Sequence, residues 1–394
     1  MVACRASHHN LATALSQGAA FMTRPSLLAV GRNATLVFGL TPTERVRRFA
    51  TKAGLAVTDA LPAAGATILA DLAFAWDPAW LRYLEAEPGL AVTIGGRPAL
   101  VYCPDPAIAH DVETAMIAGA PLPGSLGLRE MRVEDGTVLY NHMLRKRETA
   151  YLMPLTPETA YAVEKASYDG AYKGVTDVLT LYMWRGAAFH LTRWAAAIGL
   201  SPNMVTTVGA AFCVIAFLLF MNGWFWAGIA AGLVFMVLDT VDGKLARCTG
   251  TSSKWGNVFD HGLDLVHPPF WYWAWGQGLD EYGTPMAFGQ LWTIIAVIMV
   301  GYVVQRLVEG AFMRSFAGMH IHVWERVDSR FRLITARRNP NMVILFASLL
   351  VGQPGLGLVA VAWWTVLSCL FHVVRLVQAW SRRARGETIV SWLV

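Results

Sequence analysis

Apolar and polar positions follow two different rhythms along this chain, and the change comes near residue 170. Before it, short apolar runs are separated by charged or turn-forming stretches. Thr35–Gly39 (TLVFG) suits a short buried strand, and Thr43–Lys52 (TERVRRFATK) reads as a helix with Thr43 as N-cap. Further apolar runs fall at Ala66–Leu72, Leu90–Ile94 and Pro98–Cys103, the last two separated by a Gly95-Gly96 turn signal. Asp77-Pro78 followed by AWLRYLEAE predicts a capped helix, and Thr156-Pro157-Glu158 opens another. Strands alternating with helices predict a soluble α/β domain over residues 26–155.

From Ser201 onward the apolar runs lengthen. Six are predicted as spans: Asn203–Met221, Trp224–Leu238, Val258–Trp275, Phe288–Val308, Met342–Val351 and Leu356–Ala379. A span needs about 20 mostly apolar residues, so the fifth run is short. Ser201-Pro202 supplies an N-cap and first-turn pair for the first span. Pro268-Pro269, after His267, should bend the third. Between the halves, Asp177–Gly199 mixes Trp184, Phe189 and Trp194 with Arg185, His190 and Arg193, which suits a helix lying on the bilayer. Residues 156–200 thus read as linker and interfacial helix, 201–380 as a six-helix membrane domain, and 381–394 as a tail. Residues 1–25 are expected to be a disordered leader, with Met22 an alternative start.

Composition agrees with this division. Of 394 residues, 55% are hydrophobic and 15% charged, against about 25% charged in soluble domains. Disorder and an ordinary cytosolic enzyme are both excluded. The net charge of +5 has no basic block with interleaved aromatics, so no nucleic-acid partner is expected. Placing the first domain in the cytoplasm puts Arg247, Lys254, the arginines between 314 and 338, and Arg382, Arg383 and Arg385 on the inner side. The three outer loops hold no Lys or Arg, which predicts a cell-membrane protein with both termini cytoplasmic. Five scattered cysteines without CxxC spacing indicate neither a disulfide framework nor a zinc site.

One acidic cluster stands out. Asp239 and Asp242 are three apart, Asp260 and Asp264 four apart, so each pair shares a helical face. A hairpin of the second and third spans would bring four carboxylates together near the membrane boundary, unfavourable unless neutralised. Hard divalent cations, Mg²⁺ or Mn²⁺, take oxygen ligands and pair naturally with phosphate, and two such ions suit displacement at phosphorus. Gly243 and Gly256 would allow close approach of a ligand, and Arg247 could pair with a phosphate. His261, next to Asp260, points about 100° away on the helix and is a candidate base. A transporter or scaffold is the competing reading, but the acids gather at one surface and no internal repeat is visible.

The string D-x2-D-G-x2-A-R-x8-G-x3-D-x3-D is met at every defined position from Asp239 to Asp264, and it resembles the signature of the CDP-alcohol phosphotransferase family. Pro202-Asn203 to Thr206 is similar to that family's PNxxT opening, and GTSSKWGNVFDHGLD to a segment of the eukaryotic choline and ethanolamine phosphotransferases. The resemblance implies a six-helix fold, usually a homodimer embedded among membrane lipids, that binds two divalent ions and a CDP-linked alcohol. It transfers the substituted phosphoryl group to a hydroxyl and releases CMP, as in phospholipid or phosphodiester biosynthesis. By that resemblance Asp239, Asp242, Asp260 and Asp264 are metal ligands, and Asp264 is also a candidate base. Asn203, Gly243, Ala246, Arg247 and Gly256 would line the nucleotide. Acceptors compatible with it are a lipid alcohol or, with CDP-diacylglycerol as donor, a polar alcohol or inositol phosphate. Arg338 and Arg375 are then candidates for the acceptor's phosphate. The first domain resembles the nucleotidyltransferase domains fused ahead of this membrane fold, with Gly39–Arg45 at the place of the phosphate loop and Asp71 as a metal Asp. The glycine-rich GxGxR loop is absent, so a degenerate domain is expected.

Overall fold

The computed structural model describes residues 24–136, 138–141 and 146–393. The expected leader therefore lies outside the described residues up to Thr23, as does Val394 at the end of the tail. The chain divides into two compact units.

The first unit, built mainly from residues 24–35, 41–136 and 152–157, holds a mixed sheet. Its strands are β1 (Ser26–Val30), β2 (Ala56–Thr58), β3 (Thr67–Asp71), β5 (Leu90–Ile94), β6 (Arg97–Cys103) and β7 (Arg129–Arg132), with β4 (Phe74–Trp76) in a separate pairing. Their order is β2-β1-β3-β6-β5-β7. β1 runs parallel to β2 and β3, with Leu27 opposite Val57 and Ile68, while β6 is antiparallel to both its neighbours. The helices are α1 (Pro42–Ala53), α2 (Ala79–Glu85) and α3 (Pro106–Ala118). Leu28, Leu69, Val101 and Cys103 meet Val112 and Met116 of α3 in a buried cluster.

Two local expectations are corrected here. Thr35–Gly39 is not a strand, since only an isolated bridge joins Val37 and Leu40. Phe38 and Gly39 sit at φ 49° and 70°, outside the extended region. The apolar Val37 and Phe38, both buried, give this run its strand-like pattern, while Ser26–Val30 forms β1. The N-cap of α1 is Thr41 rather than Thr43: its hydroxyl accepts from the Glu44 amide at 3.2 Å and Pro42 takes the first turn. The other predicted strands and helices of this unit appear within a residue or two of their expected ends.

The second unit comprises residues 36–40, 138–141, 146–151 and 158–393. After the hairpin β8 (Val138–Asn141) and β9 (Lys146–Thr149), it is helical. The remaining strand, β10 (Leu152–Pro154), pairs with β4 in the first unit. The helices are α4 (Ala160–Gly170), α5 (Arg185–Ala197), α6 (Pro202–Met221), α7 (Phe225–Cys248), α8 (Lys254–Tyr282), α9 (Phe288–Ser315), α10 (Arg326–Arg332), α11 (Arg338–Leu350) and α12 (Pro354–Ala384). Each of the six expected spans falls on a helix, namely α6 to α9, α11 and α12. By length and composition, α6, α7, α9 and α12 could cross a membrane. α8 has the length but carries Asp260 and Asp264, and α11, at 13 residues, reaches only about 20 Å. Both helices that carry the acidic motif outrun their expected apolar stretches, α7 by ten residues to Cys248 and α8 at both ends.

Small residues set the spacing. A Cβ on Gly278 of α8 would lie 1.9 Å from the carbonyl oxygen of Phe220 at the end of α6. Gly228 holds the ring of Phe220 in the same way, at 2.4 Å. Phe220, Phe225 and Trp275 then stack into one aromatic cluster, Phe225 on Trp275 at 4.2 Å between centroids.

Candidate active site

The last turns of α7 and the first of α8 build the site. α7 ends at Cys248, and the chain reverses over Thr249–Ser253. Thr251 donates its amide, and Ser252 its hydroxyl, to the Ala246 carbonyl at 3.0 and 3.2 Å. Ser253 caps α8 by accepting from the Gly256 amide at 2.9 Å. These small polar residues fold the two acidic helix ends back onto one another. Asp239, Asp260 and Asp264 then offer carboxylate oxygens that all lie within 4.8 Å of one another.

Asp242 stands one turn along α7, almost wholly buried. Its Oδ2 accepts from the Thr206 hydroxyl and its Oδ1 from the Gly243 amide, both at 2.5 Å. The structure thus brings three of the four acids into one cluster and ties the fourth to α6. His261 places Nδ1 3.5 Å from Asp260 Oδ2, with its imidazole 60% exposed.

A cleft opens beside these acids. Pro202, Asn203, Thr206, Asp242, Gly243, Ala246, Arg247, Gly256 and Asp260 all line it. All five residues expected at a nucleotide are in that set. Gly256 leaves room there: a Cβ would meet Asn203 Oδ1 at 2.7 Å and Ser253 Oγ at 3.0 Å, and those side chains would have to shift. A Cβ on Gly243 would crowd the Arg247 guanidinium at 3.1 Å. Arg247 is aimed by its Nε, which donates to the Ala171 carbonyl at 2.9 Å and leaves its outer nitrogens toward the cleft.

The two candidate acceptor arginines part company. Arg338, at the start of α11, donates to Asp264 Oδ1 and Asp239 Oδ2, each at 2.8 Å, with its guanidinium 4.8 Å from the centre of the Phe235 ring. Arg375 is not at the carboxylates. Its nitrogens go to Asp328 at 2.6 and 2.8 Å and to Glu325 at 2.6 Å, over the Trp324 ring. An arginine inside a span was bound to seek a carboxylate, and here it finds two from α10 and the turn before it. A second acid–imidazole group, Glu309, His322 and His372, has Arg337 on both Glu309 oxygens at 2.7 Å, so a guanidinium already supplies its counter-charge.

Phe235 was not singled out in the sequence, and Thr206 entered only as the end of the PNxxT string. Thr206 had a signal in the PNxxT spacing, while Phe235 looked like any apolar span residue. In the first unit, Asp71 ends β3, accepts from the Ala73 amide at 2.8 Å and has Arg97 at 3.7 Å. Arg45, expected in a phosphate loop, is buried and donates to the Trp76 carbonyl at 3.3 Å.

Residues 199–331 match the sequence profile of the CDP-alcohol phosphatidyltransferase family. The matched segment contains the whole acidic motif from Asp239 to Asp264. Cholinephosphotransferase 1 of Danio rerio is 30% identical over 128 residues, which are 30% of this chain and 32% of that protein. A phosphatidylinositol phosphate synthase of Streptomyces avermitilis is 38% identical over 92 residues, 23% of this chain and 34% of the synthase. The chain therefore spans about a third of the length of these relatives. The solved phosphatidylinositol phosphate synthase of Mycobacterium tuberculosis with CDP-DAG bound aligns over 48% of this chain and 92% of its own, at 18% identity and a TM-score of 0.38.

The donor chemistry of the site fits divalent metal. Asp239, Asp260 and Asp264 form an all-oxygen, all-anionic set, the kind hard cations such as Mg²⁺ and Mn²⁺ prefer. Arg338 supplies one positive charge against two of these acids.

Proposed function

We propose that the protein is an integral membrane transferase that moves a substituted phosphoryl group from a CDP-alcohol to a hydroxyl acceptor and releases CMP. The convergence of Asp239, Asp260 and Asp264 beside a cleft that carries Arg247 is the observation that carries this reading. Two divalent ions held by these acids and Asp242 would neutralise the pyrophosphate and the charge that develops as CMP departs. Arg247 binds a donor phosphate from the cleft wall, where its guanidinium acts on charge present in the leaving group. Gly243, Ala246 and Gly256 let the nucleotide lie against backbone, and Asn203 gives it a polar contact. Asp264 accepts the proton of the attacking hydroxyl, with His261 as the alternative base beside Asp260. Arg338 orients Asp264 and meets the acceptor, and its release from one carboxylate accompanies loading of the site.

In the same reading, the six helices α6 to α9, α11 and α12 cross the cell membrane with both termini cytoplasmic, and the protein is a homodimer. The basic loops on one side support the orientation. The first unit is a degenerate nucleotidyltransferase-like domain without a reaction of its own, which the inward turn of Arg45 supports. The substrate test uses purified protein with Mn²⁺, a panel of CDP-alcohols that includes CDP-diacylglycerol, and lipid or polar hydroxyl acceptors. Mass spectrometry should find a new phosphodiester for one pairing. No product from any pairing would overturn the proposal.

A further inference from the structure

α10 separates its charges by face. Asp328 and the N-cap Glu325 serve α12, for Arg375 holds both, and Arg382 donates to Glu325 at 2.7 Å. Arg326 and Arg330 are four residues apart and share the other side of the helix. Neither has a carboxylate partner among the described residues. Both line a cavity of about 390 Å³ whose other walls include Val175, Thr176, Leu181 and Trp392.

These walls are fixed by hydrogen bonds. Trp392 donates its amide to the Trp324 carbonyl at 3.0 Å and its indole N–H to Ser329 Oγ at 2.9 Å. Ser391 donates its hydroxyl to the Val323 carbonyl at 2.6 Å. On the opposite side, the Val178 amide donates to the Leu333 carbonyl at 3.0 Å. The Trp392 ring also carries the Arg326 guanidinium, 5.3 Å from its centroid. A guanidinium stacked in this way keeps its N–H edge free for an oxyanion.

Two guanidiniums without a carboxylate partner on one cavity favour an oxyanion over a neutral ligand, and a phosphate group, with several oxygens and up to two charges, can take the donor forks of both. Apolar groups stand exposed nearby: Tyr182, Met183, Val327 and Ile334. Such neighbours suit the acyl chains of an amphiphile. α10 joins the end of α9 to the start of α11, and so lies at the same end of the helices as the carboxylates.

We propose that this cavity is a second anion site, distinct from the carboxylate cleft, in which Arg326 and Arg330 bind a phosphate group. An anionic lipid headgroup and free phosphate share that chemistry, and the experiment separates them. Full-length protein in detergent is titrated with phosphatidic acid, phosphatidylcholine or inorganic phosphate, and adducts are counted by native mass spectrometry. Arg326→Gln/Arg330→Gln is compared with the wild type, with elution as one sharp species and unchanged CMP release as checks of folding. Arg330→Gln alone serves if the double variant fails to fold. The expected result is a phosphatidic acid adduct favoured over phosphatidylcholine and weakened at least about tenfold by the substitutions. A phosphate adduct lost in the same way, without a lipid adduct, supports the site and assigns it to a soluble phosphate. Equal binding of both probes by wild type and variants overturns the proposal.

Discussion

Arg338 is the residue on which the balance of charge at these acids turns. It spans Asp239 and Asp264 at 2.8 Å each, and it is the nearest positive charge to either acid. Arg338→Ala leaves those two carboxylates facing each other with no counter-charge, which strongly disfavours the fold. The variant should melt well below the wild type in a chelator, and Mg²⁺ or Mn²⁺ should restore most of the loss because the same acids then hold cations. Its transfer rate should fall roughly 100-fold or more even with metal present. Differential scanning fluorimetry with and without the ion reads the first effect. A melting deficit indifferent to metal would argue that Arg338 is only a helix-end anchor.

Asp71 gives a pH test at the same scale. Burial raises its pKa above the ordinary carboxylate value, against the lowering by the Ala73 amide and Arg97. A raised native pKa means that the folded chain binds the proton more tightly than the unfolded one, so ionised Asp71 costs stability above the usual carboxylate range. Asp71→Asn keeps an acceptor for Ala73 and should raise the unfolding midpoint at pH 8, with the gain fading toward pH 4. Thermal melts across that range would show it, and a variant less stable at pH 8 would contradict the assignment.

At the scale of elements, helix contacts hold the acidic ends in register. Gly278 is the tightest of these points, with backbone rather than a flexible side chain in the way. Gly278→Ala should therefore separate α6 from α8 and sharply reduce both folded yield and melting temperature, measured on detergent-purified protein. Ser201→Ala is the milder case: the hydroxyl that accepts from Met204 is lost, at a cost of about 1 kcal/mol. Because Asn203 and Thr206 lie in the same first turns, the apparent KM for donor should rise more than kcat falls.

Much at this scale was legible beforehand. Apolar runs located the helices α6 to α9, α11 and α12, four of them long and apolar enough to cross a membrane, and the Asp and Gly spacing located the cleft. Helix ends were not legible where polarity served the site: α7 runs ten residues past the expected Leu238, to Cys248, because Asp239, Asp242 and Lys244 remain helical. The strand expected at Thr35–Gly39 failed because burial there comes from packing, with Phe38 and Gly39 at positive φ. Arg375 was misplaced for another reason. Sequence spacing marks an intramembrane arginine as needing a partner, but long-range packing chooses which acid supplies it.

For the whole molecule, the charged minority is divided between two tasks. Basic residues gather in the loops between helices, while a few acids converge on one cluster, where the proposed function puts the phosphate chemistry. Neither requires catalysis from the first unit. Given CTP, Mg²⁺ and phosphorylated alcohols, the full-length protein should release no pyrophosphate. Pyrophosphate above background in a coupled assay would make that unit an active nucleotidyltransferase after all.

The most direct test of the central claim is CMP release from a CDP-alcohol by wild type, Asp260→Asn and Asp264→Asn, each with Mn²⁺ and with EDTA. CMP should appear with the wild type in metal alone, and both substitutions should reduce it by at least about a thousandfold. Release that persists in EDTA, or that is undiminished in either variant, would contradict a metal-dependent phosphotransfer centre at Asp239, Asp242, Asp260 and Asp264.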